Sequence, residues 1–427
     1  MKNIYEEHLS VYDNRSELYI KDAVQIYYEG FQNEKTQERY EKINETLGNG
    51  YLEKLYNVVE TANFDDLSEI NRNLLRRLVQ GVTSEVGRAL VGVTFLQLTI
   101  KSIAPEQSIR LHKGTTRRGT FSWVDGISMR TLDSHYNTPF LREKRLLNVN
   151  KYGVFMTRSL AENYPYSKLY KADMKGPFNE WIDIVDALEN NSMPAKSGLL
   201  FLMALLKNRS DEFNELSDKV VTLVHEIPSI SFELVKKKLE QFFNETEYSA
   251  RAFEVVMHGF MQAMHECNLL GDHQLVPISQ MRSANKKHGN IGDIELKDGN
   301  IIVESWDAKY GKPYLRDELE ELNDKITSSP GVKIAGFVVN SKPDRRKEIV
   351  SRVKEIEALT GVDIKIFSFD EWIDWQIGDL SSKHKDILSK KWLIAVAESF
   401  GQKRIELAPI DEPCEEWLKD LMKIIRE

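Results

Sequence analysis

Three charged residues in the C-terminal half of the sequence have the types and spacing that phosphodiester hydrolysis requires. Asp307 and Lys309 lie two residues apart at the end of the apolar segment 301–309, and Asp293 precedes a second apolar segment. Successive side chains of a strand alternate between its faces, so Asp307 and Lys309 would share one face. Residues 297–300, Lys-Asp-Gly-Asn, predict a hairpin turn that would bring Asp293 close to Asp307.

This arrangement predicts a site for a hard cation. Asp293, Asp307 and the carbonyl of Ala308 would supply oxygen ligands, which Mg²⁺ prefers. The ion would neutralise charge at a phosphate and activate water, and Lys309 would orient that water and stabilise its hydroxide form. The predicted site has no Cys or His, the ligands that would favour zinc.

The acidic-x-Lys triplet alone is not specific, because the sequence has others, among them the triplets at 295–297 and 363–365. The triplet at 295–297 lies beside the predicted turn, and the one at 363–365 follows a predicted helix. Only the triplet at 307–309 has an acid upstream on a predicted partner strand. The alternative is that Asp307 and Lys309 form an ordinary ion pair. Glu304 is a reserve candidate, because a shift of one residue in register would exchange the two faces.

The segment 304–310, Glu-Ser-Trp-Asp-Ala-Lys-Tyr, after Gly292-Asp293-Ile294, resembles the PD-(D/E)xK nuclease superfamily, which includes many type II restriction endonucleases. The resemblance covers residues 245–370. It implies that Asp293 and Asp307 are metal ligands, that Lys309 is the catalytic lysine and that Glu254, on the first core helix, is an accessory acid. The proline that gives the motif its name is absent, and Gly292 takes its place.

The surrounding pattern predicts the elements that would position these residues. Helices are expected at 249–267, 314–326 and 343–359, the last closed by Gly361, and strands at 292–296, 301–309, 333–340 and 363–369. The order predicts a mixed sheet with a crossover helix. We therefore expect a mixed α/β fold: a helical, loop-rich N-terminal region followed by a restriction-endonuclease-like core, in which helices flank a central mixed sheet.

Three regions are predicted along the chain. Residues 1–100 have apolar spacing typical of helices and would form a helical scaffold. Residues 101–240 would form a basic DNA-recognition region, and 241–427 the nuclease domain with C-terminal helices. The formal net charge of the chain is −8, but residues 101–175 contain 14 Lys and Arg against 6 Asp and Glu, which gives +8.

This basic segment suggests contact with a polyanion. Its candidate DNA-binding residues are Arg117, Arg118, Arg130 and Arg158, since arginine commonly reads guanine. Arg282, Lys286 and Lys287, just before Asp293, are further candidates for contact with the DNA backbone. The alternative for both groups is a solvated basic surface.

Composition limits the classes of protein that remain. Hydrophobic residues make up 41% of the 427 residues, which is enough for buried cores, and the 2 cysteines exclude a disulfide framework and a cysteine-rich zinc site. The sequence has no signal peptide and no apolar run that spans a bilayer, so we expect a cytoplasmic protein without a membrane partner.

The leading hypothesis is a Mg²⁺-dependent type II restriction endonuclease acting on double-stranded DNA. Both strands must be cut, so a homodimer is expected, and a cognate methyltransferase acting on the same site would be a further partner. The alternatives are a DNA repair or defence nuclease of relaxed specificity, and a catalytically inactive DNA-binding protein.

Overall fold

The computed structural model describes residues 7–20, 23–82, 85–228, 230–278, 290–401 and 413–427. The chain divides into two compact units, Met1–Glu212 and Phe213–Glu427, and the boundary lies within one long helix. Each unit combines helices with a sheet, so the predicted mixed α/β fold is confirmed.

The first described residues of unit 1 form strands, where a helical scaffold was expected. Strands β1 (His8–Val11), β2 (Arg15–Ile20) and β3 (Ala23–Tyr28) pair antiparallel in the order β1-β2-β3. The helical prediction is wrong for this part of residues 1–100. The sequence signal for β3 is the polar Gln25 between the apolar Val24 and Ile26, a spacing of two that favours a strand.

The rest of unit 1 is built from helices around one hydrophobic core. The helices are α1 (Glu34–Gly48), α2 (Tyr51–Tyr56), α3 (Glu69–Gln80), α4 (Glu85–Ile103), α5 (Met129–Leu132), α6 (Thr138–Glu143), α7 (Phe178–Glu189) and α8 (Ala195–Glu226). Residues 104–177 are mainly loops and short turns, as the high content of glycine, proline and polar residues suggests.

Unit 2 contains the second sheet and its helices. Its elements after α8 are α9 (Phe232–Glu245), α10 (Ser249–Glu266), β4 (Gln274–Leu275), β5 (Ile294–Asp298), β6 (Ile301–Lys309), α11 (Arg316–Thr327), β7 (Ile334–Val339), α12 (Lys347–Thr360), β8 (Asp363–Ser368), α13 (Phe369–Ile377), α14 (Ser382–Phe400) and α15 (Cys414–Arg426).

The sheet of unit 2 is mixed, with the order β4-β5-β6-β7-β8. The pairs β4/β5 and β5/β6 are antiparallel, whereas β6/β7 and β7/β8 are parallel. Parallel neighbours need a crossover, and α11 and α12 lie in those connections. The short strand β4 falls in a segment where a loop was expected.

Helices cover both faces of this sheet. On one face, Trp306 and Val338 belong to a core that includes Phe260 of α10 and Trp372 of α13. On the other face, Phe337 packs in a core formed with α11 and α12. In-register neighbours share a face, so Asp307, which pairs with Phe337, lies on the side of α11 and α12.

Turn residues explain where several of these elements end. Gly299 adopts a φ of 59° between β5 and β6, and Gly361 adopts 72° at the end of α12, so both use the left-handed region that glycine tolerates best. Helix α12 begins at Lys347 rather than at Pro343. The side chain of Asp344 accepts the backbone N–H of Arg346 at 2.9 Å and so favours a turn there.

The two units do not coincide with the three predicted regions. Residues on both sides of position 100 share the core of unit 1, including the fully buried Leu75, Phe95, Trp181 and Leu202. The division falls between residues 212 and 213 instead of near 240. In the described part of the chain, no helix combines the length and the apolarity needed to cross a membrane.

Candidate active site

The hairpin formed by β5 and β6 brings Asp293 to the end of β6. The backbone N–H of Asp293 donates to the carbonyl of Trp306 at 2.9 Å, and the N–H of Ala308 donates to Asp293 Oδ2 at 3.0 Å. These two hydrogen bonds lie on either side of Asp307. Asp293 is therefore fixed beside Asp307 by both its backbone and its carboxylate.

Close approach of the strands explains why glycine precedes Asp293. A Cβ atom at Gly292 would lie 2.6 Å from the carbonyl oxygen of Trp306 and 2.7 Å from Ser305 Oγ. Any larger residue would force these strands apart, because such distances are far below van der Waals contact. The absence of the proline at this position thus has a steric cause in this chain.

Asp307 and Lys309 contact each other on one face of β6. Lys309 Nζ lies 2.9 Å from Asp307 Oδ2, and the side chains are 16% and 13% exposed, respectively. Lys309 Nζ also lies 5.9 Å from the centre of the Phe337 ring. The following residue, Tyr310, donates from its hydroxyl to Asn244 Oδ1 at 3.1 Å, which ties the end of β6 to α9.

Burial and neighbouring charges both disfavour the ionised form of the Asp293 carboxyl. Burial is the largest cause that raises its pKa well above the ordinary value, and the charges of Glu254 and Asp307 add to the rise. The closeness of the Asp307 carboxyl raises the pKa of Asp293 further, and the N–H of Ala308, which donates to Asp293, partly opposes the rise. The surroundings of Asp293 therefore oppose its ionisation.

Glu254 on α10 belongs to the same electrostatic cluster. Its side chain is largely buried and forms an ion pair with Arg251, one turn earlier on the helix. Its charge is the second cause of the raised pKa of Asp293. The structure thus brings Glu254 into the surroundings of the hairpin, although the two residues are far apart in sequence.

The donor set agrees with the chemistry of a divalent cation. Buried carboxylates that repel each other favour a bound cation, since its charge removes the repulsion. Ala308 directs its N–H toward Asp293, and the N–H and C=O of a strand residue point to the same side, so the Ala308 carbonyl faces that side as well. As they stand, the described residues contain no group of three or more His, Cys, Asp or Glu side chains arranged to hold a metal ion.

Glu304, the reserve candidate from the sequence, has a different environment from Asp307. Glu304 accepts hydrogen bonds from Trp306 Nε1 at 2.6 Å and from Gln376 Nε2 at 3.0 Å, so it lies on the face opposite Asp307. The reserve role for Glu304 therefore has no support from the observed register.

Glu295 supports the site, although its sequence position beside the predicted turn did not indicate such a role. Its buried carboxylate accepts the backbone N–H of Ile291 at 2.7 Å and so fixes the segment that leads into Asp293. Burial raises the pKa of Glu295, and hydrogen bonds from the N–H groups of Ile291 and Gly292 oppose the rise. The sequence signal that could have indicated Glu295 is its position two residues after Asp293, because side chains two apart in an extended segment point to the same side.

The proposed DNA-binding residues fall into two groups. Arg117, Arg118, Arg130 and Arg158 are all exposed in unit 1. Arg282, Lys286 and Lys287 lie outside the described residues. The four described arginines therefore belong to a different unit from Asp293 and Asp307, whose hairpin lies in unit 2.

No protein-family model matches the chain, and a search of curated proteins found no significant match. The resemblance to the PD-(D/E)xK superfamily therefore depends on the residues of the hairpin and on their geometry.

Proposed function

We propose that the chain is a Mg²⁺-dependent endodeoxyribonuclease that hydrolyses phosphodiester bonds of double-stranded DNA at a specific site, as type II restriction endonucleases do. The observation that supports this best is the placement of Asp293 beside Asp307 and Lys309. Three chemically matched groups from the two arms of one hairpin meet there, and Glu254 adds charge from a helix. An ordinary ion pair between Asp307 and Lys309 would not require a second buried carboxylate beside it.

The carboxylates of Asp293 and Asp307, with the carbonyl of Ala308, would hold the cation. A bound Mg²⁺ would supply positive charge that stabilises the phosphate in the transition state and makes water more acidic. Lys309 would release Asp307, orient the attacking water and stabilise its hydroxide form. Glu254 would increase the negative charge that attracts the cation, and Glu295 would keep the segment before Asp293 in place.

A plasmid cleavage assay tests this proposal. Wild-type protein is incubated with supercoiled plasmid and Mg²⁺, beside the variants Asp307→Ala and Asp363→Ala. Asp363 is a matched control because it also belongs to an Asp-x-Lys triplet, and Lys365 Nζ lies 2.7 Å from its Oδ1. We expect discrete fragments from the wild type and from Asp363→Ala, and a rate at least about 10³-fold lower from Asp307→Ala.

The other outcomes separate the alternatives. A smear that depends on Asp307 supports a nuclease of relaxed specificity, such as a repair or defence enzyme. DNA binding without cleavage by the wild type would contradict an enzymatic function and support an inactive DNA-binding protein. Equal loss in both variants would contradict the assignment of the site to β6.

A further inference from the structure

Two exposed segments of unit 1 meet at a pair of side chains. The first comprises α5 and the π-helical turn Asp133–Asn137, and it presents Arg130. The second contains the short helical turns Val154–Met156 and Arg158–Ala161. Arg130 Nη2 donates to Met156 Sδ at 3.6 Å, so the guanidinium of the first segment contacts the exposed side chain of the second.

A buried carboxylate holds these two segments together. Asp133 is fully buried, and its Oδ1 accepts hydrogen bonds from Asn137 Nδ2 at 2.7 Å and from Thr138 Oγ1 at 3.0 Å. Its Oδ2 accepts the backbone N–H of Val154, in the second segment, at 2.7 Å. Asp133 thus forms a direct link between the turn that follows Arg130 and the turn that contains Met156.

Glycine is required where the second segment reaches this carboxylate. Gly153 has a φ of 105°, and a Cβ atom there would lie 2.5 Å from Asp133 Oδ2. A buried carboxylate with three donors is a specific arrangement, because each donor offsets the loss of water. π-helical turns also occur often at functional sites. The link therefore sets the relative position of the two exposed segments.

The surface formed by these segments has the chemistry of a nucleic-acid contact. Arg130, Lys151 and Arg158 are exposed on it, together with Tyr152 and Met156, which are 63% and 45% exposed. Lys151 Nζ lies 4.9 Å from the centre of the Tyr152 ring. Within the described residues, neither Arg130 nor Arg158 forms a salt bridge. Positive charge on exposed side chains is available to phosphates, and exposed aromatic and thioether groups can contact bases.

We propose that Arg130, Lys151, Tyr152, Met156 and Arg158 form a single surface that binds double-stranded DNA, and that the buried Asp133 positions its two halves. This inference rests on the proposed function for its choice of partner, since it assigns the DNA that unit 2 would cleave to this surface. This surface is more specific than the +8 charge of residues 101–175, because it consists of five side chains on two segments that one carboxylate joins. In this assignment Asp133 is a positioning residue that does not touch DNA.

Binding can be measured apart from cleavage. The probe is a fluorescein-labelled pool of 40-base-pair duplexes with random sequence, titrated by anisotropy with full-length protein in EDTA. We expect the double variant Arg130→Ala/Arg158→Ala to bind at least about tenfold more weakly and to reduce the slope of log K against log salt by about two. Both arginines are exposed, so the variant should keep the circular dichroism and melting temperature of the wild type.

A variant outside the surface controls for the loss of an exposed charge. Arg77, on α3, has a side chain that is 54% exposed and lies 3.7 Å from Glu180, so Arg77→Ala removes one exposed guanidinium from another part of unit 1. We expect this variant to change the affinity less than twofold. Equal affinities of the wild type and the double variant, equal losses in the double variant and Arg77→Ala, or tighter binding of single-stranded RNA than of duplex DNA would each overturn the proposal.

The role of Asp133 has its own test. Asp133→Asn keeps the size of the side chain but replaces one acceptor oxygen with an NH₂ group, so it cannot satisfy Val154, Asn137 and Thr138 together. We expect a rise in KM for plasmid cleavage of about tenfold with little change in kcat, because unit 2 is intact. A fall in kcat with unchanged KM would overturn the positioning role. If the wild type does not cleave, the anisotropy titration of Asp133→Asn still tests the surface, since it needs no catalysis.

Discussion

Two Asp-x-Lys triplets lie on parallel strands of one sheet, and their surroundings are different. Asp307 and Lys309 lie at the end of β6, whereas Asp363 and Lys365 lie at the start of β8. Lysine contacts aspartate in both triplets, at 2.9 Å and 2.7 Å. The aspartate and lysine side chains are 13% and 16% exposed on β6, but 48% and 33% exposed on β8. The same chemistry is thus enclosed in one place and solvated in the other.

Strand register adds a second difference. Asp307 pairs with Phe337, and Phe337 pairs with Ile366, so Ile366 shares the face of Asp307. Asp363 lies three residues before Ile366 and therefore faces the other side of the sheet. Its neighbour on β7 is the apolar Ile334, whereas Asp307 has Asp293 beside it. The comparison teaches that a partner strand with a second acid distinguishes the candidate site, and that the triplet alone does not.

Substitution of the two lysines should separate β6 from β8 by the largest difference in rate after that expected for Asp307→Ala. Lys309→Ala should lower the rate of plasmid cleavage by about 10²- to 10³-fold, since it removes a positive group from the reacting phosphate and water. Lys365→Ala should leave the rate unchanged, because an exposed ion pair contributes little. The rates come from gel assays under single-turnover conditions. Similar losses in both variants would remove the distinction between β6 and β8.

A smaller effect is expected for the acids around the hairpin. Glu254→Gln should lower cleavage by about 10- to 100-fold, because it removes a charge that assists metal binding without removing a ligand. Glu304→Gln is the control, since Glu304 lies on the opposite face and the amide oxygen of glutamine can still accept a hydrogen bond from Trp306 Nε1. An increase in the Mg²⁺ concentration should partly restore the rate of Glu254→Gln. Equal rates for Glu254→Gln and the wild type would exclude Glu254 from the site.

Much of unit 2 could be predicted from the sequence, because its signals are local. Alternating apolar residues and the turn at Gly299 predict β5 and β6, and Gly361 marks the end of α12. The hairpin also predicts that Asp293 lies close to Asp307, and the hydrogen bonds of Asp293 to Trp306 and Ala308 confirm this position. Its catalytic role remains a prediction.

Features that depend on contacts distant in sequence could not be predicted in the same way. The buried Glu295 binds Ile291, and Asp133 joins Val154 to its own turn; neither contact has a periodic signal. The strand β3 has a weak signal of this kind, but it is short and precedes a long segment with helical spacing. The boundary of the units depends on which residues share a core, and helix periodicity alone does not give that information.

The smallest expected effect is on stability and its dependence on pH. The pKa of Asp293 is raised in the folded protein, so between the ordinary value of 3.8 and the raised value the unfolded chain binds fewer protons. Stability without metal should therefore fall as the pH rises through this window. Asp293→Asn has no carboxyl to ionise at this position, so it should be more stable than the wild type at pH 7.5. The expected difference is about 1 kcal/mol, or roughly 2–4 °C in Tm for a unit of this size.

Thermal unfolding in EDTA at pH 4.5 and pH 7.5 measures this difference. The advantage of Asp293→Asn over the wild type should be larger at pH 7.5 than at pH 4.5. Asp363→Asn should show no such gain, because Asp363 is solvated. A loss of stability in Asp293→Asn at pH 7.5 would contradict the repulsion inferred at the hairpin.

The most direct test of the central claim is the cleavage rate of Asp293→Asn, because Asp293 lies outside the triplet and reaches it only through the hairpin. Single-turnover plasmid cleavage is measured over a range of Mg²⁺ concentrations for the wild type, Asp293→Asn and Asp363→Asn. We expect the wild type and Asp363→Asn to follow one curve, and Asp293→Asn to be at least about 10²-fold slower at every concentration. A wild-type rate in Asp293→Asn would contradict the proposed site, since the triplet would then be sufficient without Asp293.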